Sequence, residues 1–389
     1  MRVAILIKDL NIHGGTQKQV IKLFQYLKKR GYYIEIYTYN YYPSDLYENI
    51  EYLKVNYLRI RKPQKGNFLH YLNPLLLDEI RILIKIIRGR FDIINIHGNG
   101  LEKLIIIIKS LMPNKRIVWQ INDLPYFFGE GIWKYKKSFT QKYILKFFAT
   151  FFYRFIAFLV NEITVNVTKN KELIKKYYRK EAKVFYCGVD LLCDKLPKRN
   201  IKNKIKLVST GVFFPYRNYE AILRAMKILA DKNIECSLSI IGSTYLDPEY
   251  AESIRKNAES LRLDVKIYGE ITNEELRNIY LDSHLFVFMN IEQSWGLAIF
   301  EAMSCGLPVI ISNSVGATEV IKETKGVSII DPHNENELAR EIIRFVDEKN
   351  YYQFSREVFQ LSRKWDWDTV YSQNMEKLFK NILKKHYKK

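Results

Sequence analysis

Leu285-Phe286-Val287-Phe288-Met289-Asn290-Ile291-Glu292-Gln293-Ser294-Trp295-Gly296-Leu297-Ala298-Ile299-Phe300-Glu301-Ala302-Met303-Ser304-Cys305-Gly306-Leu307-Pro308-Val309 is the stretch whose reading decides the fold. Its opening run, Leu285 to Met289, is continuously apolar and of strand length, and the polar segment 290–294 turns out of it. Trp295 to Met303 reads as a short helix, Gly306 stands where a helix-ending glycine belongs, and Leu307-Pro308 bars further helix. Val309 to Ser312 is a second apolar strand, and Val315-Gly316-Ala317-Thr318-Glu319-Val320-Ile321 opens a second helix. Two strand–loop–helix units in tandem predict a parallel sheet.

In an open parallel sheet, ligands bind beyond the carboxyl ends of the strands, where helix N-termini offer free N–H groups and a positive dipole end to anions. Loops 290–296 and 313–316 fall at that edge, and each carries a glycine that lets backbone approach a ligand closely. Glu301, near the start of the first helix, has two readings that spacing leaves open. Its carboxylate accepts hydrogen bonds from the vicinal hydroxyls of a ribose, or it merely complements the helix dipole.

Ser294-Trp295-Gly296-Leu297, Glu301-Ala302-Met303, Cys305-Gly306-Leu307-Pro308-Val309 and Gly316-Ala317-Thr318-Glu319-Val320-Ile321 resemble the donor-site block of the retaining family 4 glycosyltransferases. The resemblance implies the GT-B fold, an α/β architecture of two Rossmann-like domains facing a cleft with a C-terminal helix crossing back to the first domain. It further implies that residues 1–197 take the acceptor and 198–389 take a nucleotide diphosphate sugar. The family block carries two glutamates: Glu301 matches the ribose-binding one, while the one that approaches the transferred sugar falls on Gln293, preceded by Glu292. A glutamine hydrogen-bonds a sugar hydroxyl but brings no charge. The implied donor contacts are Glu292, Gln293, Ser294, Trp295, Gly296, Leu297 and Glu301.

With 389 residues the chain is long enough for two domains, and a hydrophobic fraction of 48% is that of a globular protein. Lys and Arg number 62 against 42 Asp and Glu, a formal net charge of +20 that attracts polyanions: nucleic acid, anionic lipid or phosphorylated ligands. Cys187, Cys193, Cys236 and Cys305 show neither paired CxxC spacing nor disulfide density, so a reducing cytosolic setting is expected. The opening run Val3 to Ile7 is too short for a signal peptide and reads as the first strand.

That strand leads into a loop containing Gly14-Gly15, and then into a helix with Val20, Leu23, Phe24 and Leu27 at helical spacing, closed by Gly31. Turn geometry alone accounts for a Gly-Gly pair; loop amides reaching a donor phosphate are the alternative, and the resemblance favours it. Two further strands end in His97-Gly98 and in Asn122-Asp123. His97 and Asp123 are candidates for the acceptor side, although a strand-end histidine is commonly only a hydrogen-bonded structural residue. The family has histidine followed by aspartate at the second place, with the histidine near the transferred sugar. Asn122 here keeps the hydrogen bonding of that role without the proton transfer.

Lys142, Lys146, Thr150 and Arg154 recur at intervals of four as one polar stripe, while Phe147, Phe148, Phe151, Phe152, Phe155 and Phe158 cover much of the rest of that helix. Basic residues beside aromatic bulk fit a helix lying in an anionic membrane interface; burial between domain layers is the other reading. Lys142, Lys146, Phe147, Phe151 and Arg154 are the membrane-contact candidates, and the basic run Arg59-Ile60-Arg61-Lys62-Pro63-Gln64-Lys65 adds to that face or is a solvated loop. Residues 195–204, rich in lysine and asparagine, read as the interdomain linker, with a boundary near Pro197.

After the next strand comes Gly211-Val212-Phe213-Phe214-Pro215-Tyr216-Arg217. The family places an arginine just after this glycine and a lysine farther on, both gripping diphosphate; Val212 and Arg217 occupy those places. A lone loop arginine is otherwise a solvated charge; in the family context one guanidinium, permanently charged and able to bond phosphate bidentately, is expected to serve where two cations normally do. Gly269 and Glu270 follow a later strand, where the family contacts the nucleotide base. The expectation is a retaining hexosyltransferase with Arg217, Glu301, Gln293 and Asn122 as the catalytic set. It uses a nucleotide diphosphate sugar as substrate, no cofactor and no dedicated metal, since no Asp-x-Asp or histidine cluster sits on a strand-end loop. The expected acceptor is a glycan or a lipid-linked glycan, with the protein peripheral at the cytoplasmic face of an anionic membrane and no nucleic acid bound. A nucleotide-sugar epimerase of the same architecture and a non-catalytic basic polyanion-binding protein are the alternatives.

Overall fold

Apolar strands and amphipathic helices alternate along the chain and pair into two separate parallel sheets. The computed structural model describes residues 1–10, 14–41, 55–60, 76–125, 128, 139–201, 204–292 and 295–384. Gln293, Ser294, Arg61, Lys62 and Lys65 lie outside the described residues, as do the side chains of 58–60, 76–78 and 139–145, Lys142 among them. In order, the first half holds β1 (Arg2–Leu10), α1 (Gly15–Lys29), β2 (Tyr33–Tyr41), β3 (Val55–Ile60), α2 (Leu76–Gly89), β4 (Ile93–His97), α3 (Glu102–Leu111), β5 (Arg116–Ile121), α4 (Phe139–Leu159), β6 (Glu162–Val165), α5 (Thr168–Tyr178) and β7 (Ala182–Val184). The second holds β8 (Ile205–Thr210), α6 (Tyr219–Ala230), β9 (Cys236–Ile241), α7 (Pro248–Ser260), β10 (Asp264–Gly269), α8 (Asn273–Asp282), β11 (Leu285–Phe288), α9 (Leu297–Ser304), β12 (Val309–Ser312), α10 (Thr318–Ile321), β13 (Val327–Ile330), α11 (Glu335–Phe345) and α12 (Glu348–Ser362). A π-helical turn (Asp368–Ser372) and α13 (Gln373–Lys384) close the described chain.

The strand orders are β3-β2-β1-β4-β5-β6-β7 and β10-β9-β8-β11-β12-β13, with every pairing parallel. Both sheets are therefore doubly wound, α/β and Rossmann-like. Each reverses direction at one point, between β1 and β4 in the first and between β8 and β11 in the second, and the crevice at such a reversal is where this class of sheet binds ligands. Helices cover both faces, so central strands such as Val3–Ile7 and Leu285–Phe288 are buried on both sides and are apolar throughout.

The chain divides into two units, Met1–Gly188 with Trp367–Lys389, and Val189–Asp366. The boundary expected near Pro197 thus falls earlier, and the reason is hydrogen bonding. Val189 N–H donates to the Trp365 carbonyl at 2.7 Å, Leu192 N–H to Ser304 Oγ at 3.1 Å, and Arg363 Nη2 to the Cys193 and Asp194 carbonyls at 2.6 and 2.8 Å. These hold the segment before Pro197 on the second unit. The segment from Trp367 rejoins the first unit, where Glu376 on α13 accepts from Tyr26 and Tyr32 and pairs with Arg30 on or beside α1.

The deciding stretch folds as β11–loop–α9–β12, with one adjustment. α9 begins at Leu297 rather than Trp295, because Gly296 takes φ +96°, a left-handed conformation that sets the helix start. Its end is a Schellman turn: Leu307 N–H reaches the Ala302 carbonyl, Gly306 N–H reaches that of Met303, and Gly306 sits at φ +70°.

Candidate active site

At the reversal point of the second sheet, β8 ends at Thr210 and Gly211, and the short 3-10 turn Pro215–Arg217 folds the Arg217 side chain back over Gly211. A Cβ on Gly211 would stand 2.6 Å from Arg217 Cζ, so the guanidinium occupies the space that the glycine leaves open. Two aromatic rings flank it: Arg217 Cζ is 5.0 Å from the Tyr216 ring centre and 5.4 Å from that of Phe288, the last residue of β11. Cation–π contacts of this kind orient a guanidinium without consuming its N–H donors. Ile291 N–H donates to the Tyr216 carbonyl at 2.9 Å, tying the loop after β11 to the loop after β8.

Beside this group, β9 ends at Ile241, immediately before Gly242, and β10 ends at Gly269. Gly242 N–H donates to the Gly269 carbonyl and Gly211 N–H to the Ile241 carbonyl. Gly242 is obligatory for packing, since a Cβ there would lie 2.0 Å from the Gly211 oxygen. Adjacent strands therefore end in a row of bare backbone. Gly269 has φ +74°, and Glu270 after it is exposed.

The α9 N-terminus opens at the same edge of the sheet. No side chain among the described residues caps it, and its first turn holds no acidic residue, which leaves an N-terminus suited to an anion. Glu301 is the fifth residue of α9, so the dipole-complementing reading loses its geometric basis. The hydroxyl of Tyr280 is 2.9 Å from Thr210 Oγ1; burial first and the charge of Glu301 second keep that hydroxyl protonated, far above its ordinary value. Trp295 is buried and stacks on Phe300 at 5.2 Å between ring centres, with its carbonyl accepting from Ala317 N–H. It shapes the loop from behind, while Leu297 is half-buried and Glu292 likewise. Tyr280, Tyr216 and Phe288 were not singled out by sequence reasoning. A tyrosine on the helix before β11 and aromatics beside a lone arginine are the signals that mark them.

In the first unit, Gly14 precedes α1 with φ −132°, and neither Gly14 nor Gly15 has positive φ. Turn geometry therefore does not require glycine at either place. Gly14 instead leaves room for Gln17, whose Oε1 lies 2.4 Å from where a Cβ would be and whose Nε2 donates to the Asp9 carbonyl.

His97 does not reach an accessible surface. It is 1% exposed, its Nε2 lies 2.8 Å from Asn95 Oδ1, and burial lowers its pKa to about 3, so it is a neutral histidine inside the sheet. The acceptor-side expectation for His97 is corrected on that ground. Asn122 is also committed internally. Its Nδ2 donates to Thr16 Oγ1 and Gln19 Oε1, both at 2.9 Å, and its Oδ1 accepts from Gln120 Nε2 at 2.8 Å. These bonds pin the N-terminal part of α1 to the end of β5. Asp123, next along, is exposed, and its carbonyl accepts from Asn99 Nδ2.

α4 exposes Phe147, Phe148, Phe151, Phe152, Phe155 and Phe158, from 40% to 82%. Ala149, Ile156 and Ala157 bury the opposite side, as does Val160 just past the helix end. Burial between layers is thereby excluded for this face. The basic stripe turns inward along the edge: Arg154 Nε donates to the Tyr177 carbonyl and Lys146 Nζ lies 4.7 Å from the Tyr177 ring centre, both on α5. Ile80, Ile84 and Ile87 of α2 and Leu111 of α3 are further exposed apolar side chains of this unit. Among the described residues no helix is long and apolar enough to cross a membrane.

Two family profiles account for nearly the whole chain: glycosyltransferase family 4 over residues 13–191 and glycosyl transferases group 1 over residues 194–358. The chain belongs to the family 4 glycosyltransferases. A serotype-specific mannosyltransferase of Escherichia coli, WbdA, is 26% identical over 178 residues, which is 43% of this chain and 22% of that protein. The match thus spans about a fifth of the length of that curated relative. Sucrose-phosphate synthase of Thermosynechococcus elongatus superposes with a TM-score of 0.76 at 16% identity, covering 98% of this chain and 99% of its own. HepE of Anabaena, solved in complex with UDP and glucose, superposes with a TM-score of 0.73 at 16% identity over 97% and 99%. These likenesses identify the fold as GT-B.

Proposed function

We propose that this family 4 glycosyltransferase transfers a hexosyl unit, with retention at the anomeric carbon, from a nucleotide diphosphate sugar to a lipid-linked or membrane-associated glycan. The observation that carries the reading is the Arg217 guanidinium, held over Gly211 and between Tyr216 and Phe288 at the point where the second sheet reverses. Family membership and the UDP complex of HepE support a nucleotide diphosphate at that edge. Mannosyltransferase WbdA supports glycan chemistry.

In this reading Arg217 and the first-turn amides of α9 bind the diphosphate, and Glu301 accepts from the ribose hydroxyls. The bond between the anomeric carbon and the phosphate oxygen breaks, and the electron pair leaves with the diphosphate, where Arg217 offsets the growing charge. The acceptor oxygen attacks the same face, and its proton passes to the departing phosphate. Gln293 hydrogen-bonds the transferred sugar, and no dedicated metal takes part. Gly14 and Gly15 leave the N-terminal amides of α1 open to an anionic ligand, and Asp123 serves the acceptor. Asn122 acts by fixing α1, given where its amide is spent. The phenylalanine face of α4 beds into an anionic bilayer, with Lys146 and Arg154 at its margin.

Thermal shift across UDP- and GDP-sugars tests this reading. One donor is expected to raise the melting temperature at saturation, and Arg217→Ala and Glu301→Ala are each expected to abolish the shift while remaining folded. A folded wild type that responds to no donor overturns the reading, as does a shift that both variants retain.

A further inference from the structure

Cys193 and Cys305 are 112 positions apart in sequence, yet their Sγ atoms are 3.0 Å apart. Both are free thiols, and they are 3% and 0% exposed. A disulfide requires about 2.05 Å, so the two sulfurs need to close by only about 1 Å to bond. The backbone around them is held by guanidinium groups. Arg363 Nη2 donates to the Cys193 carbonyl and Arg277 Nε to the Leu192 carbonyl at 3.0 Å, while Arg199 Nη2 donates to the Cys305 carbonyl at 2.6 Å and its Nη1 to that of Gly306 at 3.3 Å. Those contacts keep the sulfurs facing each other, and they surround them with positive charge, which favours a thiolate. The hydrogen bond with Cys305, and after it Arg277 and Arg199, pull the Cys193 thiol below its ordinary value against the effect of burial.

Cys193 lies on a segment without helix or strand, two residues from exposed Leu191, which gives a water-sized oxidant a route by local opening. Cys305 caps the C-terminus of α9. Leu192 N–H donates to Ser304 Oγ, which in turn donates to the Glu301 carbonyl, so the two segments are already joined by hydrogen bonds.

We propose that Cys193 and Cys305 are a peroxide-sensitive dithiol that closes reversibly to a disulfide and clamps the segment entering the second unit to the end of α9. The Cys193 thiolate attacks one oxygen of hydrogen peroxide and the O–O bond breaks, giving a sulfenic acid and a hydroxide that takes up a proton. The Cys305 thiol then attacks the Cys193 sulfur, the S–O bond breaks and a second water leaves. Two thiols and one peroxide become one disulfide and two waters. A pair that is reduced at rest and oxidised transiently is the form such bonds take in a reducing compartment.

The test uses the full-length folded protein treated with hydrogen peroxide and needs no donor, so its outcome is independent of the proposed reaction. Intact mass is expected to fall by about 2 Da, the loss of two hydrogens. Non-reducing peptide mapping is expected to join Cys193 to Cys305, and dithiothreitol to restore the starting mass. Closing a loop of this length is expected to raise the melting temperature by about 5 °C or more. Cys305→Ala is expected to leave Cys193 gaining oxygen instead of losing hydrogen. Oxidation of Cys236 ahead of the pair, a linkage between any other two cysteines, or oxygen addition to Cys193 in the wild type without a cross-link overturns the proposal.

Discussion

A glycine can be placed for the side chain it makes room for rather than for its own backbone, and Gly211 is such a case. Its φ is not positive, and the space where its Cβ would sit is filled by the Arg217 guanidinium. Gly211→Ala should therefore leave the fold nearly intact, because the displaced atoms are the end of a flexible side chain, while moving the charge proposed to hold the diphosphate. The expected outcome is a loss of donor affinity of about 10-fold to 100-fold, the worth of a charge-assisted bidentate contact, read by calorimetric titration beside a denaturation curve. Unchanged affinity would detach Arg217 from the donor. Arg217 and Glu301 were singled out by their match to the family's donor-site positions, since local pattern alone left each open to a bland reading. His97 and Asn122 were equally legible as strand-end residues, but position says nothing about solvent access or about which partners consume an amide.

α4 illustrates the same limit at the scale of an element. Spacing sorted its residues into a basic stripe and an aromatic remainder, and the structure turns that arrangement so that the phenylalanines meet water while Lys146 and Arg154 lean on α5. Six exposed phenylalanines on one helix form an apolar patch of the kind that marks an interaction surface. Phe148→Ser with Phe158→Ser removes its two most exposed rings, and neither ring contributes much to the core. Co-sedimentation with vesicles containing anionic lipid is expected to weaken by about 10-fold or more, since each interfacial phenylalanine is worth on the order of 1–2 kcal/mol, while the melting temperature stays the same. Equal binding by the double variant would remove the membrane from the reading of this face.

At the scale of the whole molecule, the chain leaves the first unit at Gly188, builds the second, and returns at Trp367 to complete the first. Glu376 fastens that return. It is 4% exposed and accepts from Tyr26 at 2.8 Å and Tyr32 at 2.5 Å, with Arg30 at 3.0 Å and Lys380 at 2.8 Å. Burial pushes its carboxyl up, but the bonds from Lys380, Tyr32 and Tyr26 outweigh burial and bring it down to about 2. A carboxylate depressed in the folded state contributes stability above the unfolded value, about 4.3, and loses it as pH falls toward 2. Glu376→Gln is expected to destabilise the first unit by about 2 kcal/mol at neutral pH, with the difference from wild type shrinking below pH 4 or so. Urea unfolding at several pH values measures it, and a difference that does not vary with pH would mean that the carboxylate charge is not what holds the return.

By itself the sequence determined strand–loop–helix units that pair as parallel sheets, the strand-end loops of the ligand-binding edge and the helix stop at Gly306, while the two Rossmann-like domains came from the family resemblance. Strand and helix periods, strand-end loops and capping residues are local, and each is set within a few residues. Only the tertiary structure decided which face of α4 is wet, that Asn122 is spent inside the first unit, that Cys193 meets Cys305, and that the chain's end closes the unit in which it began. A local pattern specifies which side chains share a face. What that face meets depends on contacts between residues far apart in sequence, and those exist only once the chain has closed on itself.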